Sequence, residues 1–235
     1  MRKLKLLILL TITSFAISAQ SLLPIKYGIK FGANIANITS IANEGVENID
    51  ISTLTGIAGG LYMEIALNDR WYINPELIYT QKGVTFTYNY IHNYGINASD
   101  YHTTSHELKL TYIELLPTIS FKASDNIALN FGPSVSFLIE PNYTILSDEG
   151  ENEEEPDHEE LPDAEYIEET LDVGLNIGIS YYLNEHFLIN GRVNTGLMSI
   201  GEIKKEINTG STGNEPKQNI FNLKNRGIVF SIAYL

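Results

Sequence analysis

Three groups of residues in this chain have types and spacing that could support chemistry. His92, His102 and His106 fall within one polar stretch, with Asp100 and several Ser and Thr beside them. A hydrolase or acyltransferase draws its base and nucleophile from such residues. Their spacing fixes no geometry, and His in a polar link commonly serves as plain hydrophilic surface. No catalytic residue is therefore assigned, and the chain is expected not to be an enzyme. The second group is residues 148–172, which hold 14 Asp and Glu and no Lys or Arg. Such a density of carboxylates could take up a divalent cation or a cationic protein partner. It lacks the alternating ligands and central Gly of an EF-hand loop, and a self-repelling, solvated surface loop is the favoured account. The third group is Lys30, Glu64, Glu76 and Arg192, single charges set among apolar or small residues. Withdrawn from water, each needs an opposite charge or hydrogen bonds.

The elements that must position these groups are strands. From Ile25, odd positions read Ile25, Tyr27, Ile29, Phe31, Ala33 and Ile35, against Lys26, Gly28, Lys30, Gly32, Asn34 and Ala36. That is period-two alternation with one bulky apolar face and one small or polar face. The same rhythm recurs from Ile57, from Trp71, within 108–121, from Ile127, from Leu171, from Phe187 and over 227–234, which makes eight strands. Within 108–121 the phase slips between Leu108, Leu110, Tyr112 and Ile113, Leu115, Ile119, Phe121, which predicts a β-bulge near 112–114. Lys30, Glu64, Glu76 and Arg192 all fall on the small-residue parity.

Links between these strands alternate in length. Turns of four or five residues join strands two and three, four and five, six and seven, whereas polar stretches of roughly 38–54, 89–106, 141–169 and 199–222 occupy the other links. An antiparallel meander with tight turns at one end and long loops at the other gives this pattern. The chain also opens with Met1-Arg-Lys-Leu-Lys5, an apolar run over 6–17 and Ser18-Ala19-Gln20, the layout of a secretory signal peptide cleaved after Ala19. That run is too short to span a hydrocarbon core of roughly 30 Å. The expected organisation is a signal peptide over 1–19 and one barrel domain over 20–235.

Net charge is −14, but the acids outside 148–172 equal the 15 bases of the chain, so the imbalance belongs to one segment. A basic footprint for nucleic acid is absent. With no cysteine, disulfides, thiolate metal sites and a lipid-bearing cysteine are excluded, and no cofactor is expected. The fold class that emerges is all-β: an eight-stranded antiparallel up-and-down transmembrane β-barrel in the outer membrane of a Gram-negative bacterium. A soluble lipocalin-type barrel would turn its apolar face inward. Here the bulky face belongs outside, because a narrow eight-stranded lumen admits only limited side-chain volume. Tyr27, Trp71, Phe121, Tyr181, Phe187 and Tyr234 gather next to the short turns, as in an aromatic girdle at the lipid–water border. Lys30, Glu64, Glu76 and Arg192 then form an interior polar network that plugs the lumen, the alternative being a gated pore lined by the same charges.

The chain resembles the PorT-like outer-membrane β-barrel proteins. The resemblance is carried by Tyr27-Gly28-Ile29-Lys30-Phe31-Gly32-Ala33-Asn34, Ile73-Asn74-Pro75-Glu76-Leu77-Ile78-Tyr79, Leu110-Thr111-Tyr112-Ile113-Glu114-Leu115-Leu116-Pro117 and Phe131-Gly132-Pro133. It spans 25–235 and concerns barrel construction. Such barrels commonly end on Phe, whereas this chain ends Tyr234-Leu235. The resemblance implies an accessory role in protein secretion. The residues themselves point to a non-enzymatic barrel, structural or surface-binding through its long loops, with a rim-sited hydrolase or acyltransferase as a third reading. Expected partners are outer-membrane lipid and lipopolysaccharide, with a divalent cation or protein at the acidic loop, and a monomeric state.

Overall fold

The computed structural model describes residues 24–42, 49–93, 99–150, 169–206 and 217–235. Residues 1–19, where a signal peptide is expected, and most of the acidic segment, 151–168, lie outside these residues.

Strong β-formers in period-two order build nine strands: β1 (Ile25–Ala42), β2 (Ile49–Ala66), β3 (Trp71–Asn93), β4 (Ser99–Lys122), β5 (Ile127–Gly150), β6 (Leu171–Tyr182), β7 (Phe187–Gly196), β8 (Gly201–Glu206) and β9 (Lys217–Tyr234). Strands β1 to β7 pair antiparallel in chain order, β7 and β8 each pair antiparallel with β9, and β1 pairs with β9 from Ile29↔Tyr234 to Ala42↔Phe221 to close the ring. β7 and β8 occupy the same edge of β9 end to end, with Thr195↔Arg226 and Gly201↔Leu223. The nine strands therefore make eight staves, the seventh broken at 197–200.

Three tight turns share one end. In each, the residue before the turn donates its N–H to the first residue of the next strand: Leu67 to Trp71, Ala123 to Ile127 and Leu183 to Phe187, all at 2.9 Å. Asn68 Oδ1 accepts from the N–H groups of Arg70 and Trp71, and Asn184 Oδ1 from those of His186 and Phe187. Ser124 Oγ accepts from Ile127 N–H. These side chains mimic backbone partners and fix the reversals.

The bulky apolar face is outside. Ile177 is 71% exposed, Ile29 and Phe31 are each 64%, and Leu61 is 61%, the inverse of a water-soluble barrel. On β3 the outward apolar series runs Trp71, Ile73, Leu77, Tyr79 and stops at Gln81. Eight residue steps cover about 26 Å along the strand, or about 20 Å along the axis at the usual tilt, close to the roughly 25 Å lipid-facing band of such barrels.

The strands are longer than the apolar alternation predicts. β3, β4 and β5 have 23, 24 and 24 residues, against 12 and 10 in β6 and β7. The expected links at 38–54, 89–106, 141–169 and 199–222 are partly strand, because above the band the outward face is wet and polar residues such as Thr85, Thr87 and Ser105 sit in the ladder without an apolar rhythm.

The bulge expected near 112–114 is not in β4, which keeps a single phase: Leu108, Leu110, Tyr112, Glu114 and Leu116 are all buried. The irregularity falls on its partner. Thr111 pairs with Glu140 and Tyr112 with Leu138, leaving Ile139 as the extra residue of β5. Prolines are tolerated where the ladder lets their missing N–H go. Pro75 faces Pro117, and the β4–β5 pairing is interrupted between Leu115↔Val135 and Ile119↔Phe131, where Pro117 and Pro133 meet.

Candidate functional site

The lumen is filled in layers. Nearest the short turns, Tyr62, Ala128, Tyr182, Leu188 and Ala233 pack together. Above them runs a belt of amides and hydroxyls crossing five staves. Ser120 Oγ donates to Asn74 Oδ1, Asn130 Nδ2 donates to Ser120 Oγ, Ser180 Oγ donates to Asn130 Oδ1 at 3.0 Å, and Asn190 Nδ2 donates to Ser180 Oγ at 3.0 Å. Asn74 Nδ2 also reaches Tyr62 Oη at 2.8 Å. Each strand contributes one short polar side chain on its inward parity, and the register sets them side by side.

The charged layer follows. Glu76 accepts from Lys30 Nζ at 2.7 Å and from Arg192 Nη1 at 2.9 Å. Arg192 Nη2 lies 3.7 Å from Glu114, whose other oxygen takes Lys82 Nζ at 3.0 Å and Ser136 Oγ at 2.9 Å. Lys82 also reaches Asp172 Oδ2 at 3.4 Å, and Asn225 Nδ2 donates to the same oxygen at 2.9 Å. Lys30 lies over the Tyr62 ring and Lys82 over the Tyr112 ring. Three cations and three carboxylates thus alternate in one chain, Lys30–Glu76–Arg192–Glu114–Lys82–Asp172, with every member buried. Alternation suits a low-dielectric interior, where a charge is stabilised by facing its opposite.

An apolar layer caps the cluster toward the long-loop end: Ile38, Val84, Leu108, Leu110, Tyr112, Ile200 and Leu223, with Phe86 and Leu138 against them. The gap bounded by Asn34, Thr80, Lys82 and Glu114 beneath it has no room for a water molecule.

Of the four interior charges singled out in the sequence, Lys30, Glu76 and Arg192 come together. Glu64 stands apart, buried toward the short-turn end, where its carboxylate accepts from Tyr182 Oη at 2.6 Å. Lys82, Glu114 and Asp172 complete the cluster and were missed. Lys82 lies two residues past the expected end of the third strand, Glu114 was hidden by the supposed phase slip, and Asp172 was counted with the acidic segment. Extending the even parity of β3 by one step would have found Lys82.

The six ring residues proposed for a girdle sit at the short-turn end. Trp71 and Phe121 are cross-strand partners with centroids 5.0 Å apart, and Phe187 and Tyr234 repeat this pairing at 5.0 Å. Tyr27 and Tyr181 are exposed on β1 and β6, and Phe121 is half-buried. His106 is fully buried in a three-ring cluster with Phe86 and Tyr143, with its Nδ1 2.5 Å from Tyr143 Oη. The side chains of His92 and His102 lie outside the described residues; their backbones belong to the β3–β4 hairpin, where His92 faces Asp100 and His102 faces Tyr90. The structure thus brings no histidine pair together among the described side chains. Those residues also hold no group of three or more metal-ligating side chains.

The outer membrane protein beta-barrel domain family matches residues 18–202. The chain belongs to this family. Membership places it in the outer membrane of a Gram-negative bacterium, with its apolar outer face in lipid, and no helix among the described residues is long and apolar enough to cross a membrane. No curated protein sequence matches the chain. Among solved structures, Neisserial surface protein A is similar with a TM-score of 0.44 at 12% identity, over 90% of this chain and 98% of that one. Outer membrane protein W of E. coli gives 0.35 at 15% identity, over 88% and 96%. Ail of Yersinia pestis gives 0.37 at 9% identity, again over 88% and 96%.

Proposed function

We propose that this outer-membrane barrel is a sealed, non-enzymatic scaffold whose role is carried by its loop-bearing end. The observation that carries the reading is the filled lumen: an alternating ion chain beneath an apolar layer. A conducting pore lined by charges would leave them facing water, whereas Lys30, Glu76, Arg192, Glu114, Lys82 and Asp172 use one another. The short turns face the periplasm and the long-strand end faces outward, as is general for such barrels. The six aromatic residues then form the periplasmic interface belt. Strands β3 to β5 extend past the lipid band and raise the β3–β4 hairpin away from the membrane; the carboxylates of the acidic segment would draw a cationic partner or divalent ions. Planar-bilayer recording of the purified monomer tests the seal. The expected record is a silent membrane; steady unitary openings would defeat the reading.

A second reading rests on the PorT-like motifs of the first, third, fourth and fifth strands, and makes the barrel an accessory of a secretion apparatus. A deletion strain separates the two. Loss of secreted cargo favours the secretion role, whereas altered adhesion or envelope integrity with normal secretion favours the scaffold.

A further inference from the structure

The outer surface of β1, β9 and β7 is a stack of registered rows. Ile29, Tyr234 and Phe187 form the first; Phe31, Ile232 and Ile189 the second; Ala33, Phe230 and Gly191 the third; Ile35, Ile228 and Val193 the fourth. The fifth row is Asn37, Arg226 and Thr195, where the apolar series ends. Lys224 follows Arg226 on the same outward parity, about 7 Å further along the strand. Arg226 is exposed and Lys224 half-buried, and among the described residues neither side chain has an ion pair or hydrogen bond.

This differs from Lys109, an outward cation at the loop-side border of the band among the described residues. Lys109 on β4 is held 2.7 Å from Glu107, so its charge is answered within the wall. The segment around the β9 pair is basic as well. Residues 201–226 contain Lys204, Lys205, Lys217, Lys224 and Arg226 against Glu202, Glu206 and Glu215. An unanswered guanidinium and ammonium directly above four apolar rows is the arrangement that suits an amphiphile with an anionic head and apolar tails. Guanidinium binds phosphate through two parallel hydrogen bonds, and an ammonium adds a mobile point charge.

We propose that Arg226 and Lys224 bind the phosphate of an outer-leaflet lipid head group, with the lipid's acyl chains lying on Ile228, Phe230 and Ile232. Asn37 and Thr195 flank the phosphate position with polar side chains. The proposal rests on the outward orientation of the loop end argued above. It stands on lipid binding, whether or not the lumen conducts.

The test uses the full barrel in an uncharged, phosphate-free detergent, with diphosphoryl lipid A as the probe and native mass spectrometry or calorimetry as the readout. The double variant Lys224→Gln/Arg226→Gln is expected to lose about tenfold or more in affinity, as loss of charge-assisted hydrogen bonds implies. Lys109→Gln should bind as the unaltered barrel does, and dephosphorylated lipid A should bind the unaltered barrel as weakly as the double variant binds the intact lipid. Far-UV circular dichroism and heat-modifiable gel migration check that the variants are folded. Equal affinity in the folded double variant overturns the proposal, as does indifference to the lipid's phosphates. Displacement of the lipid by equimolar inorganic phosphate would assign the pair to a free anion and overturn it too.

Discussion

The two faces of this barrel wall solve opposite problems with the same strands. Outside, every row within the lipid band is apolar, because lipid offers a charge no partner and no water. Inside, six charges lie a few ångströms from one another, each within 4 Å of its opposite. Burial alone does not decide which residue a position accepts; the partners on the neighbouring staves do. Glu76 is stable in the lumen because Lys30 and Arg192 arrive from β1 and β7, staves far apart in sequence. Outside, Ile177 needs nothing from its neighbours beyond bulk. The inner face is therefore specified by register and the outer face by composition.

The sharpest break of this comparison is at Glu76. Glu76→Ala leaves Lys30 and Arg192 without their shared carboxylate, and removing one member of a buried pair costs about 3–5 kcal/mol. Reversible urea unfolding of the barrel in phospholipid vesicles should show this loss. Replacing Lys30, Glu76 and Arg192 together by apolar residues of similar volume should recover most of it, since the cost lies in the orphaned charges. A single variant as stable as the unaltered barrel would mean that water reaches the cluster, and the sealed lumen would fall with it. The outer face should respond without any pairing effect. Ile177→Arg places a guanidinium in lipid and should cost about 2–4 kcal/mol at mid-band, less if the side chain reaches an interface.

How legible each face was in the sequence follows from the same contrast. Outward positions obey a rule that holds residue by residue, so the parity of Ile29, Phe31, Leu77, Ile177 and Phe230 was apparent from alternation alone. The charges Lys30, Glu64, Glu76 and Arg192 also fall on the inner parity by alternation, because each alternates with the bulky apolar series of its strand. Their partnerships were not legible: which carboxylate meets which cation depends on the stagger between staves, and the stagger is set by bulges such as the one at Ile139. Leu108, Leu110 and Tyr112 misled for a physical reason. They are apolar residues on the inward parity, gathered into the layer that caps the ion chain, so the assumption that bulky means outward failed there. Strand ends were obscure for a related reason, since lipid stops enforcing the alternation at Gln81 while the hydrogen-bonded ladder continues to Asn93.

That last point gives the smallest and most discriminating prediction. Ile145 is 50% exposed on β5, as bulky and as outward as many residues of the band. It pairs with His106, well beyond the Tyr79–Ile113 level where the outer surface turns polar. If the lipid border lies there, Ile145 faces water, and Ile145→Arg should change unfolding stability by no more than about 0.5 kcal/mol, the usual range for surface substitutions. Measured beside Ile177→Arg in the same vesicles, the pair reports where the bilayer ends on the loop side, using one substitution at two heights. A cost at Ile145 comparable with that at Ile177 would move the border outward by several residues. Arg226 and Lys224 would then lie inside the apolar band rather than at its edge, so the height of Ile145 also sets whether those two cations meet head groups or acyl chains.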